Sequence, residues 1–203
     1  PVLFGAATTC VGALGLLELI TWALPSPMER GAVVAQRGEE PIEVTPSSEG
    51  DFLAQVIRTS IDEFAGKTSI FRVFSGTPPA DGAVENTSNN TAERFGGLYA
   101  LRGKERTAVS IPVCGDILSV AKLKATTTGD TLSMPSASTT LEKVFYPEPM
   151  MSYVIQPASK GTEGKLKIAL ERLLDEDPTL STTFEDLTHQ MVLQGMGQAH
   201  LDM

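Results

Sequence analysis

Residues 51–145 hold five short β-rich runs, at 52–58, 68–74, 95–101, 109–113 and 117–123, and turn residues separate them. The separators are the stretch from Gly76 to Gly82, which includes Pro78-Pro79 and Asp81-Gly82, then Gly115-Asp116 and Gly129-Asp130. Runs this short cannot bury apolar surface on their own. A sheet closed on itself covers one face of each strand and removes the exposed edges. Strands at this spacing therefore predict a β-barrel. The polar stretch 86–91 reads as a turn, and the Ser/Thr-rich stretch 133–140 reads as a connector.

The pattern changes on both sides. From residue 146 the order is β-α-β-β. A strand is expected at 150–156, a helix at 162–175, and strands at 181–185 and 190–194 with a turn at 187–189. In the helix, Leu166, Ala169, Leu170, Leu173 and Leu174 recur at i, i+3, i+4, i+7 and i+8, one apolar stripe. Asp177-Pro178 stops it. This order is the front of a ferredoxin-like split βαβ unit. His200-Leu201-Asp202-Met203 then reads as the first turn of a second helix. On the other side, residues 1–27 read as a buried strand at 1–4, a loop, and a helix at about 12–24 ended by Pro25-Ser26-Pro27. Residues 28–50 read as a linker. The helix is shorter than the roughly 20 apolar residues that cross a bilayer, and a buried helix packed on a sheet is expected instead, with no membrane partner. Both ends look internal, so the expectation is a fragment: residues 1–27, linker 28–50, barrel 51–145, and 146–203 stopping before its second helix.

The net charge of -9 is unevenly spread. Residues 1–50 contribute -4, residues 51–145 contribute 0 and residues 146–203 contribute -5. No segment is a basic nucleic-acid footprint, so an RNA partner would have to be held by local patches. The best such patch is Arg94, Lys104 and Arg106, interleaved with Phe95 and Tyr99. A charged rim is the alternative, and backbone contact with RNA would make binding salt-sensitive.

No catalytic constellation appears. Gly66-Lys67-Thr68 lacks the glycine a phosphate loop needs five residues earlier, where Ile61 stands. It reads as a turn into a strand. Neither His189 nor His200 has a second ligand at metal spacing, so no metal is expected. His189 is placed in a solvated hairpin turn, and His200 in a structural or contact role. Asp175-Glu176-Asp177 puts negative charge at a helix C-terminus, against the dipole. It reads as a solvated face, with a partner contact as the alternative. Cys10 and Cys114, far apart, read as free buried thiols in a reducing cytoplasm.

Several motifs go further. "FAGKTSIFRVFSG" at 64–76 and "VCGDILSVAKLKATTTGDTL" at 113–132 resemble the second domain of elongation factor G, a translation-factor β-barrel. "YPEPMMSYVIQP" at 146–157, "LERLLDEDPTL" at 170–180 and "GMGQAHLDM" at 195–203 resemble its third domain, which is ferredoxin-like. The first 27 residues are similar to the terminal strand and helix of that family's P-loop GTPase domain. The resemblance covers essentially the whole chain and implies an α+β multidomain fragment. Where the family has Ser-Ala after the strand that closes its guanine pocket, this chain has Ala6-Ala7 after Gly5. Where the family has Glu-Leu before the histidine, it has Gln198-Ala199. The turn between the third and fourth barrel strands is polar and irregular. These departures imply a divergent paralogue rather than the main translocase.

The resemblance implies a parent that binds GTP and Mg²⁺, docks on the ribosome, and couples hydrolysis to movement. The barrel would face small-subunit RNA, and the third domain would relay the nucleotide state. Gly5, Ala6 and Ala7 would be a degenerate piece of the guanine pocket. The fragment would be cytoplasmic and monomeric. It would carry no catalytic residue or cofactor of its own, and would pack on the parent's GTPase domain and C-terminal domains. The alternatives are a ribosomal protection protein conferring antibiotic resistance, a stand-alone ribosome- or RNA-binding module, and, more distantly, an unrelated enzyme.

Overall fold

A computed structural model describes residues 1–62, 66–103, 105–157, 159 and 161–202, with Asp62 described in its backbone alone. Fourteen strands fall into three antiparallel sheets among these residues. The central sheet contains β3 (Leu53–Asp62), β4 (Gly66–Ser75), β5 (Asp81–Asn86), β6 (Thr91–Gly96), β7 (Tyr99–Arg102), β8 (Glu105–Ala108), β9 (Ile117–Ala121) and β10 (Thr131–Ser133). Their order is β6-β5-β10-β3-β4-β9-β7-β8.

This sheet curls round one core. Phe71 and Phe95 stack with ring centroids 5.3 Å apart, and Phe52 meets both edge-on. Val56, Val73, Val84, Leu118, Val120 and Leu132 surround them, all buried. The curl brings the first strand in the order back to the sixth. Glu93 on β6 accepts hydrogen bonds from the Lys124 and Ala125 amides and the Thr126 hydroxyl, just after β9. A register shift between Val56 and Arg58 leaves Ile57 without a cross-strand partner on β4. A bulge there bends the strand, as curling demands. The Gly129 amide donates to the Val56 carbonyl and the Val56 amide to the Asp130 carbonyl, both at 2.8 Å. The Thr-Gly-Asp-Thr-Leu motif is thus a structural clamp on β3.

Residues 28–50 are not simply a linker. They contain β1 (Val33–Arg37) and β2 (Glu40–Val44), which form a second sheet with β11 (Thr139–Leu141) in the order β11-β1-β2. Gly38, at φ +64°, opens the two-residue turn between β1 and β2, where positive φ is required. Ala35, Leu53 and Leu141 form a second small core, with Phe74 packed against it. Neighbouring residues Phe52 and Leu53 therefore serve two cores, as do Val73 and Phe74.

Other expectations also need correction. The run 95–101 is two strands, because Gly97 at φ +118° breaks it. Residues 109–113 are not a strand, and β8 lies just before them. The stretch 133–140 includes the end of β10 and the start of β11. Residues 1–4 are exposed and form no strand. Helix α1 (Ala13–Ala23) has no buried residue, and Trp22 is 79% exposed, so the buried-helix expectation fails among the described residues. The short helix α2 (Pro27–Arg30) follows it. Gly115 lies so close to Pro27 that a Cβ there would sit 2.7 Å from the proline ring. No helix of the described residues is long and apolar enough to cross a membrane.

The third unit matches its pattern closely. It contains β12 (Met151–Ile155), α3 (Glu163–Glu176), β13 (Ser181–Glu185), β14 (Gln190–Gly195) and α4 (Gln198–Leu201), with sheet order β12-β14-β13. That order is the one a ferredoxin-like unit requires. Leu170 is the buried residue of the α3 stripe, while Leu173 is 45% exposed. Three strands are too narrow to cover the whole stripe.

Phe71→Ala should cost about 3–5 kcal/mol, through lost burial and a cavity between two rings. Ile111→Ala, at a side chain 81% exposed, should stay within about 0.5 kcal/mol. Urea unfolding of both variants checks this.

Candidate functional site

The acid run at the end of α3 is where the barrel and the third unit meet. Asp175 Oδ2 lies 3.1 Å from Lys67 Nζ on β4, and the Lys67 side chain is only 18% exposed. Glu176 accepts a hydrogen bond from the Ile61 amide on β3. Asp177 Oδ2 lies 2.9 Å from His200 Nε2 on α4, and its other oxygen accepts from the Thr179 amide at 2.8 Å and from the Thr179 hydroxyl. The expected solvated face is instead three consecutive carboxylates, each with a partner in the same chain. Those partners offset what the helix dipole costs at this end.

His200 is fixed from both sides. The Met196 amide donates to Nδ1 at 3.2 Å. Nδ1 is therefore the acceptor, and Nε2 carries the proton that faces Asp177. Gly195 makes room for this packing. A Cβ there would come 2.8 Å from Leu201, 3.2 Å from His200 and 3.2 Å from Leu180. The first glycine of Gly-Met-Gly is a close-approach residue, and His200 is structural. His189 lies exposed in the turn between β13 and β14.

Burial alone would raise the Asp177 pKa. The hydrogen bonds from Thr179 and the contact with His200 outweigh it and hold the carboxyl below the usual range. Burial raises the Cys114 thiol, which donates to the Phe74 carbonyl at 3.2 Å. Cys10, expected buried, is exposed.

Two members of the predicted basic patch can be placed. Arg94 and Arg106 stand on β6 and β8, the two terminal strands of the central sheet. Arg94 is paired with Asp81 at 3.2 Å. Arg106 donates to the Thr68 hydroxyl at 3.4 Å and has no carboxylate partner among the described residues. Lys104 lies outside the described residues. Lys122, which sequence reasoning passed over, is exposed at φ +68°, and its amide donates to the Lys67 carbonyl at 2.9 Å. It therefore neighbours the β4–β8 end that holds Arg106. No local signal in a Lys-Leu-Lys triplet marks it.

Gly5, Ala6 and Ala7 lie in a turn closed on itself. The Ala6 amide donates to the Val11 carbonyl at 3.0 Å, and Gly12 at φ +78° lies against the Phe4 carbonyl. An apolar cleft of about 440 Å³ opens here, between Phe4, Ala7, Cys10 and Leu16. It offers no charged side chain for a phosphate or Mg²⁺, and no cluster of three or more His, Cys, Asp or Glu among the described residues is arranged to hold a metal.

A depressed carboxyl pKa stabilises the fold above its unfolded-state value and loses that contribution as pH falls through the folded-state value. The stability gap between the native chain and Asp177→Asn should thus be widest at neutral pH. It should close as pH falls below 3.8, the ordinary aspartate value. Urea midpoints of both proteins across pH measure it.

The family model "Elongation factor G domain 2" matches residues 51–134, and "Elongation Factor G, domain III" matches residues 146–203. A protein named elongation factor G from Petrotoga mobilis is 38% identical over 206 residues, covering all of this chain and 30% of that protein. A crystal structure of a Thermus thermophilus protein superposes with a TM-score of 0.71 at 29% identity, over 94% of this chain and 26% of that one. The chain thus spans about a third or less of these relatives. Two family domains in sequence order, on a curled barrel and a βαββ unit, settle the assignment: the chain belongs to the elongation factor G family, of which it carries domain 2 and domain III.

Proposed function

We propose that this chain is the ribosome-binding middle region of an elongation-factor-G-like translational GTPase. It couples the nucleotide state of the whole protein to movement on the ribosome. The observation that supports this is the end-to-end likeness, at 38% identity, to a relative named elongation factor G. In this reading the parent is a cytoplasmic, monomeric GTPase stimulated by ribosomes. GTP and Mg²⁺ are held by residues outside this chain, with Gly5, Ala6 and Ala7 contributing one edge of the guanine pocket. The chain alone hydrolyses nothing. The departures at Ala6, Gln198 and Ala199 suit a paralogue with a specialised role.

The barrel meets small-subunit RNA in this proposal. Arg106 carries more of the contact than Arg94, whose charge Asp81 already offsets, and Lys104 contributes with them in this reading. Acidic surroundings elsewhere make the contact local rather than a broad basic face.

Cosedimentation of the chain with small ribosomal subunits, at rising salt, tests this. Arg106→Glu should weaken binding and lower the slope of log affinity against log salt by about one. Arg94→Glu should have a smaller effect. Absence of binding at low salt, with the fold intact, overturns the RNA contact.

A further inference from the structure

The acid run does more than join two units. Asp175 and Glu176 grip Lys67 and the Ile61 amide, at the paired end of β3 and β4. The very next residue, Asp177, grips His200 on α4. His200 in turn holds the Met196 amide, one residue past β14. Asp175 and Glu176 are the last two residues of α3, and Asp177 caps it in extended conformation, its amide still bonded to the Leu173 carbonyl at 2.9 Å. This helix end cannot shift toward the barrel or away from it without dragging Asp177. Nor can α4 move without pulling on the carboxylate beside Glu176. Gly195 leaves no slack, since Leu201 and Leu180 fill the space a side chain would take.

We propose that the last turn of α3 is a mechanical latch. It ties the β3–β4 end of the barrel to α4 and β14, so that loosening either contact loosens the other. The latch is a property of these residues and operates whether or not the protein acts on ribosomes. Coupling between two sites is reciprocal, which makes it testable from both ends. It also requires an element that both sites bias, here the α3 terminus.

Amide hydrogen exchange in the intact chain, read residue by residue by NMR, is the test. Lys67→Met removes the Asp175 contact with the barrel, leaves the Glu176 contact with the Ile61 amide, and touches no atom of α4. It should speed exchange at the Met196 amide about fivefold or more. His200→Ala should speed exchange at the Ile61 amide by a similar factor. Lys167→Met, on the exposed face of α3, should change neither. The Phe71 amide in the barrel core reports global unfolding and should stay unchanged in all three. If His200→Ala fails to fold, Lys67→Met decides alone. An unchanged Met196 amide in Lys67→Met overturns the latch, and so does a rise shared equally by Phe71.

Discussion

Closure of the central sheet around Phe52, Phe71 and Phe95 is the constraint on which the rest depends. A sheet that curls this tightly must break its own ladder, and each break exposes backbone groups that need partners. Glu93 answers one break by accepting from two amides and a hydroxyl, although it is 7% exposed. Asp130 answers another. Its carboxylate accepts from the Thr127 amide and from Asn86, which is fully buried. The motifs that mark this domain in sequence are therefore the chemistry of closure.

Closure also sets where the barrel can meet a neighbour. It carries β3 and β4 past the edge of the core, and their far end presents Lys67 and the Ile61 amide to α3. A backbone donor and a largely buried ammonium are strong partners for carboxylates that a helix C-terminus disfavours. The unfavourable charge of the helix is made useful by a contact with residues more than 100 positions earlier.

What the sequence revealed follows from how local each signal is. The strand expected at 181–185 and the stripe in α3 are read from local sequence, and those elements fell within about a residue of expectation. The β1–β2 hairpin was hidden although Val33 and Ala35, then Ile42 and Val44, alternate, because Gly38 and Pro41 read as breakers. Strand β5 opens on Asp81-Gly82, which reads as a turn. Residues 109–113 looked strand-like, yet Pro112 has no amide to donate and the Val109 amide bonds Leu98 outside any strand. The junction was the least legible part. Nothing near Asp175 announces Lys67, and nothing near Lys67 announces a helix end. The resemblance identified the domains but placed neither contact. Of the basic trio, Arg94 and Arg106 stand on the two terminal strands of the central sheet, and Lys104 lies outside the described residues.

The family assignment and the geometry together give two domains of the elongation factor G family, joined at the end of α3. The proposed function concerns a whole protein of that family. GTP hydrolysis by the full-length protein, measured with and without ribosomes, tests it most directly. Strong stimulation by ribosomes is the predicted result. Intact nucleotide binding with no stimulation would contradict it and mark a factor repurposed for another partner.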